Sequence, residues 1–510
     1  MNPGACPMPS IARPADLFDR TTAWRDLADL ASTDRPGLRL AVVTGRRRHG
    51  KSYLLRRLAR ATDGLYHQAR ELDRPLALRE FAIDVAAHLD LDPEALRFDD
   101  WETAFRVALG LRRGRTPRRT AGAPLLVIDE LPYLLVHSPE IPSVLQLLYD
   151  EAQDTPDLPA TTLVLCGSAL SVMRDLLTGA RPLRGRAQVE LTLHPFDYRT
   201  SRAYWDIADP QVAFHVDAIL GGTPGYRQLV TAPPPDTVDG LEEWLARQVL
   251  NPAGALFNEK SFLLREDPRN LDRSVYHSVL QAVADGNHSP AAIGTAVGRD
   301  YNTLKHPLGV LESTGFLTRV DDVLTRRRPL YYVADPIVRF AQVIIDPHRA
   351  TLEERDPHGA WHAATDAYSS QVVGPHLEHL ARVWTARYSG SRWGTSLGVV
   401  GPAVVNDPRE RRQHEVDVVG LEQGRRPYDE TARVVVLGEV KSTNRRRTAT
   451  DLRRLEHLRD VLSTSGRRAG DANLALFSRS GFDESLMDEA AHRDDVHLVT
   501  LDDLYLDHDG

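Results

Sequence analysis

Leu38-Arg39-Leu40-Ala41-Val42-Val43-Thr44 runs directly into Gly45-Arg46-Arg47-Arg48-His49-Gly50-Lys51-Ser52, and Ser52 to Ala61 follows with Leu54, Leu55 and Leu58 on one helical face. The first run is apolar and rich in β-branched residues, as a buried strand is; the last repeats with the period of a helix. A glycine-rich loop between a strand and a helix, closing on Lys-Ser, has a definite chemistry. Its backbone N–H groups and the helix N-terminus cradle phosphates, Lys51 reaches the β and γ oxygens of a nucleotide, and the Ser52 hydroxyl ligates Mg2+. Gly45 to Ser52 is therefore the expected ATP-binding loop, against the plainer reading of a glycine turn. Lysine usage supports the choice. Of 63 Lys and Arg residues only Lys51, Lys260, Lys305 and Lys441 are lysine, so a surviving ammonium marks a place where a planar guanidinium would not serve.

Working outward, Pro124-Leu125-Leu126-Val127-Ile128 reads as a strand buried on both faces of a parallel sheet, and it ends in Asp129-Glu130. The carboxyl edge of such a sheet is where ligands bind. Asp129 is expected to hold Mg2+ through water, and Glu130 to be the base that orients the attacking water. A solvated strand end is the alternative. A third strand, Thr162-Leu163-Val164-Leu165-Cys166, ends in Gly167-Ser168, which places the Ser168 hydroxyl against the attacking water or the γ-phosphate. Arg184-Gly185-Arg186 comes next, then Gly221-Gly222-Thr223-Pro224-Gly225-Tyr226 after a helical stretch.

From Ser274 to Asp335 the pattern is helix, turn, helix, turn, longer helix, then two short strands, Gly315 to Val320 and Leu330 to Val333. This order is that of a winged helix-turn-helix. Its recognition helix presents Tyr301, Asn302, Lys305 and His306, and the wing tip carries Arg326-Arg327-Arg328. DNA contact through these residues is the expectation, with protein docking as the alternative.

A charge-rich linker, His348 to Gly359, precedes the last segment. There a helix from Gln371 to Arg387 carries Glu378, a strand His414 to Val419 carries Asp417, and a strand Arg433 to Lys441 carries Glu439 and Lys441. Residues two apart on a strand share a face, so Glu439 and Lys441 project together, and a neighbouring strand can present Asp417 beside them. Two carboxylates around Mg2+ (or Mn2+) with a lysine at the activated water make the PD-(D/E)XK nuclease arrangement. Glu378 is placed as a helper. The competing reading is a solvated Glu–Lys pair on an exposed strand. The segments that follow, Thr450–Leu462, Asn473–Phe477, Phe482–His492 and Val496–Thr500, fit a restriction-endonuclease-like α/β domain.

Taken together, Phe18-Asp19-Arg20, the phosphate loop, Leu126 to Glu130, Cys166-Gly167-Ser168, Leu183 to Arg186, the Gly-Gly-Thr-Pro turn and Tyr332-Val333-Ala334-Asp335-Pro336 resemble the archaeal-type ATPase family. This is a branch of the signal-transduction ATPases with numerous domains, within the AAA+ group. Glu415-Val416-Asp417, Gly438-Glu439-Val440-Lys441 and Ser478-Arg479-Ser480-Gly481-Phe482 resemble the carboxy-terminal domain that accompanies such ATPases. The resemblance covers nearly all of residues 15–505. It implies that Arg186 senses phosphate charge and that Pro224 packs near the adenine. The sequence departs from the family at His49, where a small apolar residue is usual, and at Val416, which stands where the nuclease motif has proline. The first departure is expected to perturb nucleotide exchange.

Composition bounds the rest. With 510 residues and 42% apolar content, the chain can bury several cores. The expected division is an α/β multidomain chain: a P-loop ATPase core with a parallel sheet (15–200), a helical lid (201–270), a winged helix (271–345), a linker (346–365) and a PD-(D/E)XK nuclease-like domain (366–510). Cys6 and Cys166 are too few for a disulfide framework or a thiolate zinc site, which argues against redox and zinc chemistry. A net charge of −8 excludes a uniformly basic coat and leaves local Arg clusters at 112–119, 326–328 and 445–447. No run of about 18 apolar residues and no signal-peptide order occur, so no membrane is expected and the cytoplasm is the default. The reading is an ATP-dependent ATPase that controls a Mg2+-dependent nuclease acting on DNA, in defence or repair. A homo-oligomer or a regulatory protein partner is compatible with it. The alternatives are a regulatory ATPase whose winged helix and last domain bind DNA or a partner without cutting, and a nuclease acting on RNA.

Overall fold

The computed structural model describes residues 11–111, 124–155, 158, 160–179, 181–265, 273–327 and 329–506. Arg328 and the cluster at 112–119 lie outside the described residues. Contacts group the chain into two units, Met1–Pro195 with Leu263–Leu271, and Phe196–Phe262 with Asp272–Gly510. Most of the segment expected as a lid therefore groups with the carboxy-terminal residues.

In the first unit, β1 (Gly37–Thr44), β2 (Leu65–Gln68), β3 (Leu125–Asp129), β4 (Ala160–Gly167) and β5 (Val189–Thr192) form one sheet in the order β2-β3-β4-β1-β5. Every pairing is parallel. The central strands are buried along nearly their whole length because helices cover both faces. Leu54, Leu55 and Leu58 of the helix Lys51–Ala61 pack with Trp24 and Leu27 on one face, and Phe81, Trp101, Phe105 and Leu148 fill the other. β4 lies between β1 and β3, with Thr44 opposite Gly167 and Ile128 opposite Leu165. That register brings the phosphate loop, Ser168 and Asp129-Glu130 to one carboxyl edge.

The second unit begins with helices Tyr198–Trp205, Pro210–Leu220 and Leu241–Gln248. Next come Arg273–Ala284, Pro290–Val297 and Tyr301–Ser313, followed by the antiparallel hairpin β6 (Leu317–Val320) and β7 (Leu330–Val333). Ser289 and Asp300 cap the second and third of these helices by accepting backbone N–H bonds. Residues expected as a linker are helical over Arg349–Glu353 and Pro357–Ala367, and Leu352 and Ala364 are fully buried. Charge alone misleads there, because Asp356 caps the second helix by accepting from Gly359 N and Leu352, Ala360 and Ala364 turn inward.

A mixed sheet closes the unit: β8 (Leu397–Asp407), β9 (Arg412–Glu422), β10 (Val434–Lys441), β11 (Asn473–Ser478) and β12 (Val496–Thr500), in the order β12-β11-β10-β9-β8. β8, β9 and β10 pair antiparallel; β10, β11 and β12 pair parallel. The helix Ala449–Thr464 buries Leu452, Leu455, Leu458 and Leu462 against one face. Phe477, which points the other way from Leu476, meets Trp384 of the helix Gly374–Arg387. β8 escapes sequence reading because Gly398, Gly401 and Pro402 interrupt its pattern. Its edge position and two register shifts accommodate them.

The hairpin tip is not free. Val323 N donates to Pro402 O at 2.9 Å and Val404 N to Asp322 Oδ2 at 2.8 Å, while Val323 and Leu324 enter the core beneath β8 and β9. The tip thereby covers an otherwise open sheet edge.

Candidate functional site

The phosphate loop is held by its neighbours before any ligand arrives. Gly45 has φ 149°, and a Cβ there would sit 2.6 Å from Leu193 O, so only glycine fits. Gly50, with φ 89°, turns the loop into the helix Lys51–Ala61. Lys51 is buried and donates to Arg46 O at 3.1 Å, which confines the ammonium within the loop. His49 is buried too; burial and then the Arg46 guanidinium hold it down to about 3, so it is neutral. Its Nδ1, 2.9 Å from Leu193 O, must then be the protonated nitrogen and donate to that carbonyl. Arg20, in a left-handed turn with Asp19, donates to His49 O at 3.1 Å. The residue that departs from the family pattern thus ties the loop to the end of β5.

Asp129 is fully buried at the end of β3. Its Oδ2 accepts from the Tyr66 hydroxyl and its Oδ1 from Glu130 N at 3.0 Å, which fixes the carboxylate toward the edge. Glu130 has φ 55°, a strained conformation for a residue other than glycine. Its Oε2 accepts from both Ser168 N at 3.1 Å and Ser168 Oγ at 2.9 Å. Ser168 therefore holds the candidate base. Arg186 makes a two-pronged pair with Asp150 at 2.8 Å for each bond. Pro224 belongs to the second unit, where its carbonyl accepts from the Tyr204 hydroxyl at 3.1 Å.

In the second unit Glu378, Asp417, Glu439 and Lys441 come together. Asp417 Oδ2 accepts from Val440 N at 2.7 Å; burial and then the Glu378 carboxylate push Asp417 up to about 6. Glu439 is buried, and that burial together with the Asp417 carboxylate pushes it up as well. Glu378 is raised by burial against the pull of Arg382 and Lys441. Glu439 Oε1 is shared by Lys441 and Arg454, whereas Glu439 Oε2 is buried with no hydrogen-bond partner. Three carboxylates that raise one another, with a bare buried oxygen among them, fit a divalent cation held by Asp417 and Glu439.

Sequence reading misses the supports of this cluster. Arg382 donates to Asp417 O at 3.0 Å, Arg454 reaches Glu439 from the helix Ala449–Thr464, and Tyr332 of β7 lies close enough to Glu378 and Asp417 that they help burial raise it to about 12. Arg479 donates to Ser442 O at 3.1 Å and approaches His215 Nε2 at 3.4 Å, bracing the end of β10 against the helix Pro210–Leu220. Arg454, Tyr332 and Arg479 come from segments distant in sequence, so no local spacing announces them, whereas Arg382 stands one helical turn after Glu378.

The expected DNA-contact residues divide. Asn302 and Lys305 are exposed, with Lys305 Nζ 5.4 Å from the centre of the Tyr301 ring. Arg326 lies over the Tyr428 ring at 5.7 Å, and Arg327 reaches Gln413 at 3.5 Å and Asn406 at 3.4 Å. Arg327 thus meets residues of β8 and β9, whereas Arg326 stays exposed.

Residues 17–210 match the family described as an ATPase domain predominantly from Archaea. An uncharacterised protein of Methanocaldococcus jannaschii is 24% identical over 329 residues, 63% of this chain and 67% of that protein. Among solved structures, a Walker-type ATPase of Pyrococcus abyssi is 20% identical with a TM-score of 0.47, covering 65% of this chain and 97% of that one. The Aeropyrum pernix ORC2 protein in its ADPNP–ADP complexes is 14% identical with a TM-score of 0.41, covering 69% and 96%. The amino-terminal unit is an ATPase domain of the archaeal type, carried on a chain that also holds a mixed α/β sheet. No described helix is long and apolar enough to cross a membrane.

Proposed function

We propose that this protein is an ATP-switched nuclease acting on DNA, with the Lys51/Glu130 centre hydrolysing ATP and the Asp417/Glu439/Lys441 centre cutting. One observation carries the second half: the bare, buried Glu439 Oε2 beside two further carboxylates and an ammonium. At the first centre, the loop from Gly45 to Ser52 binds the phosphates, Lys51 and Ser52 meet the terminal phosphates and Mg2+, and Asp129 orients that ion through water. Glu130, released from Ser168, orients the attacking water.

At the second centre Asp417 and Glu439 hold Mg2+ or Mn2+, Lys441 positions the nucleophile or the developing oxyanion, and Glu378 and Arg382 place Asp417. A cation bound there supplies phosphate neutralisation and a more acidic water. Arg479 braces the strand bearing Lys441 against the helix Pro210–Leu220 of the same unit. Tyr301, Asn302 and Lys305 are the residues offered to the duplex.

A second reading, a regulatory ATPase whose last domain binds without cutting, is favoured by the ion pairs that Lys441 and Arg454 already make to Glu439. One assay separates the two. Purified protein is incubated with linear and circular DNA, and with RNA, with and without Mg2+, Mn2+ and ATP, beside Lys441→Ala. Metal-dependent cleavage of DNA lost in the variant supports the nuclease; binding without cleavage in every nucleotide state supports the second reading. Cleavage confined to RNA replaces the substrate.

A further inference from the structure

The turn that joins β8 to β9 carries a second cluster of ligand atoms that the ATPase and nuclease readings do not use. Asp407 ends β8, Glu410 sits in the turn, His414 lies near the start of β9 and His457 projects from the helix Ala449–Thr464. Asp407 Oδ1 accepts from Arg409 N at 2.8 Å and Glu410 N at 3.2 Å, which shapes the turn. Its other oxygen meets His457 Nε2 at 2.7 Å. Glu410 stands 3.5 Å from His414 Nε2 and 3.9 Å from His457 Nε2. One donor atom from each of the four residues lies within 4.8 Å of all the others.

The observation that separates this group from an ordinary polar surface is His414. Its side chain is 6% exposed, and its Nε2 is buried and has no hydrogen-bond partner. A buried ring nitrogen left without a hydrogen bond and facing two carboxylates and a second imidazole is a ligand in waiting, because burial without a partner is unfavourable. We infer that Asp407, Glu410, His414 and His457 form a binding site for one zinc-class divalent cation. Two neutral imidazoles and two carboxylates give a donor set that suits Zn2+ and neutralises it. Tetrahedral bonds of about 2.0–2.1 Å separate ligand atoms by roughly 3.3 Å; the donor atoms here stand 2.7, 3.5 and 3.9 Å apart in the closest pairs and no more than 4.8 Å in any. Imidazole disfavours Mg2+ and Ca2+, which take oxygen. The shortage of cysteine argues only against a thiolate site, and this set needs none.

The site is separate from the Asp417 centre. It shares no residue with that centre, although the helix Ala449–Thr464 serves both, sending His457 to Asp407 and Arg454 to Glu439. Its consequence is mechanical: a cation there would clamp the helix Ala449–Thr464 to the β8–β9 turn. One turn earlier on that helix, Arg454 reaches Glu439, so the clamp fixes the helix rotation on which that contact depends. The inference stands whether or not the domain cuts nucleic acid.

The test uses full-length, untagged protein stripped with EDTA and titrated with Zn2+ against a chromophoric chelator. Co2+ serves as a spectroscopic probe, and circular dichroism checks the fold. One Zn2+ per chain is expected, with Co2+ giving visible ligand-field bands. His457→Ala should weaken Zn2+ binding at least ~100-fold and abolish the bands; Glu410→Gln, an exposed change, should weaken it about 10-fold. Asp417→Asn should bind Zn2+ as wild type does. The inference is overturned if wild type takes up no stoichiometric Zn2+, if both His457→Ala and Glu410→Gln bind it unchanged, or if Asp417→Asn is the variant that loses it.

Discussion

Asp417→Asn should make the metal-free protein more stable at neutral pH, although it removes a residue of the proposed cutting centre. The carboxyl is pushed from an ordinary 3.8 to about 6, first by burial and then by Glu378, so the folded state prefers it protonated. The stabilisation that comes from holding that proton is complete below pH 4 and is lost as pH rises through about 6. At pH 7.5 the fold therefore carries the full penalty of about two pH units, at most ~3 kcal/mol at 1.36 kcal/mol each. Asparagine cannot ionise, and its amide oxygen can still accept the 2.7 Å bond from Val440 N. Melts in EDTA should show the variant ahead at pH 7.5, with about half of the gap remaining at pH 5, about a fifth at pH 4 and almost none by pH 3. Each kcal/mol shifts the melting temperature by about 2–4 °C in a domain of 150–250 residues. Millimolar Mg2+ should reverse the order by stabilising wild type alone. A variant that melts at or below wild type at pH 7.5 in EDTA, or a gap that widens toward acid, would refute the assignment of strain to this cluster.

Other expectations follow from the same geometry. Lys51→Ala should weaken ATP binding roughly 10- to 150-fold, from the loss of a charge-assisted contact of about 1.5–3 kcal/mol, whereas Glu130→Gln should bind a fluorescent ATP analogue normally and hydrolyse slowly; wild-type hydrolysis by the latter would remove Glu130 as the base. Lys441→Ala should retain metal, read by calorimetry, yet cut at least ~100-fold more slowly, and equal cutting would point to a contaminant. Replacing Arg326 and Arg327 with Ala should lower the magnitude of the slope of log affinity against log salt for duplex DNA by about one, the share of exposed Arg326, because Arg327 is held by Asn406, Gln413 and Asp322; a fall of about two would return both to the phosphate backbone.

Legibility in the sequence followed the range of the interactions. The phosphate loop, β3 with its acidic pair and β10 with Glu439 and Lys441 are local patterns, and each stands within a residue or two of where periodicity places it. What the spacing cannot carry is long-range pairing. β8 hides behind Gly398, Gly401 and Pro402 because an edge strand tolerates residues that a central strand does not. The wing arginines read as phosphate-seeking because nothing near them in sequence shows that Gln413, Asn406 and Tyr428 would receive them. His49 reads as an anomaly until Leu193, on the far side of the sheet sequence, supplies its acceptor.

The scarcity of lysine was read as a marker of chemistry, and the structure refines what it marks. Lys51 is confined by a loop carbonyl and Lys441 by Glu439. Lys260, which the motifs ignore, is as confined as either: it is buried, donates to Gln342 Oε1 at 2.9 Å and pairs with Asp346. Only Lys305 is exposed. Lys51 and Lys260 sit in small buried spaces bounded by oxygen acceptors, which a three-donor ammonium fills and a planar five-donor guanidinium does not, while Lys441, 34% exposed, is paired with Glu439. Lysine retention in an arginine-rich chain therefore reports confinement of a positive charge. Whether that confinement serves catalysis depends on what else faces the ammonium: a phosphate cradle at Lys51, raised carboxylates at Lys441, and only a buried ion pair and a side-chain amide at Lys260.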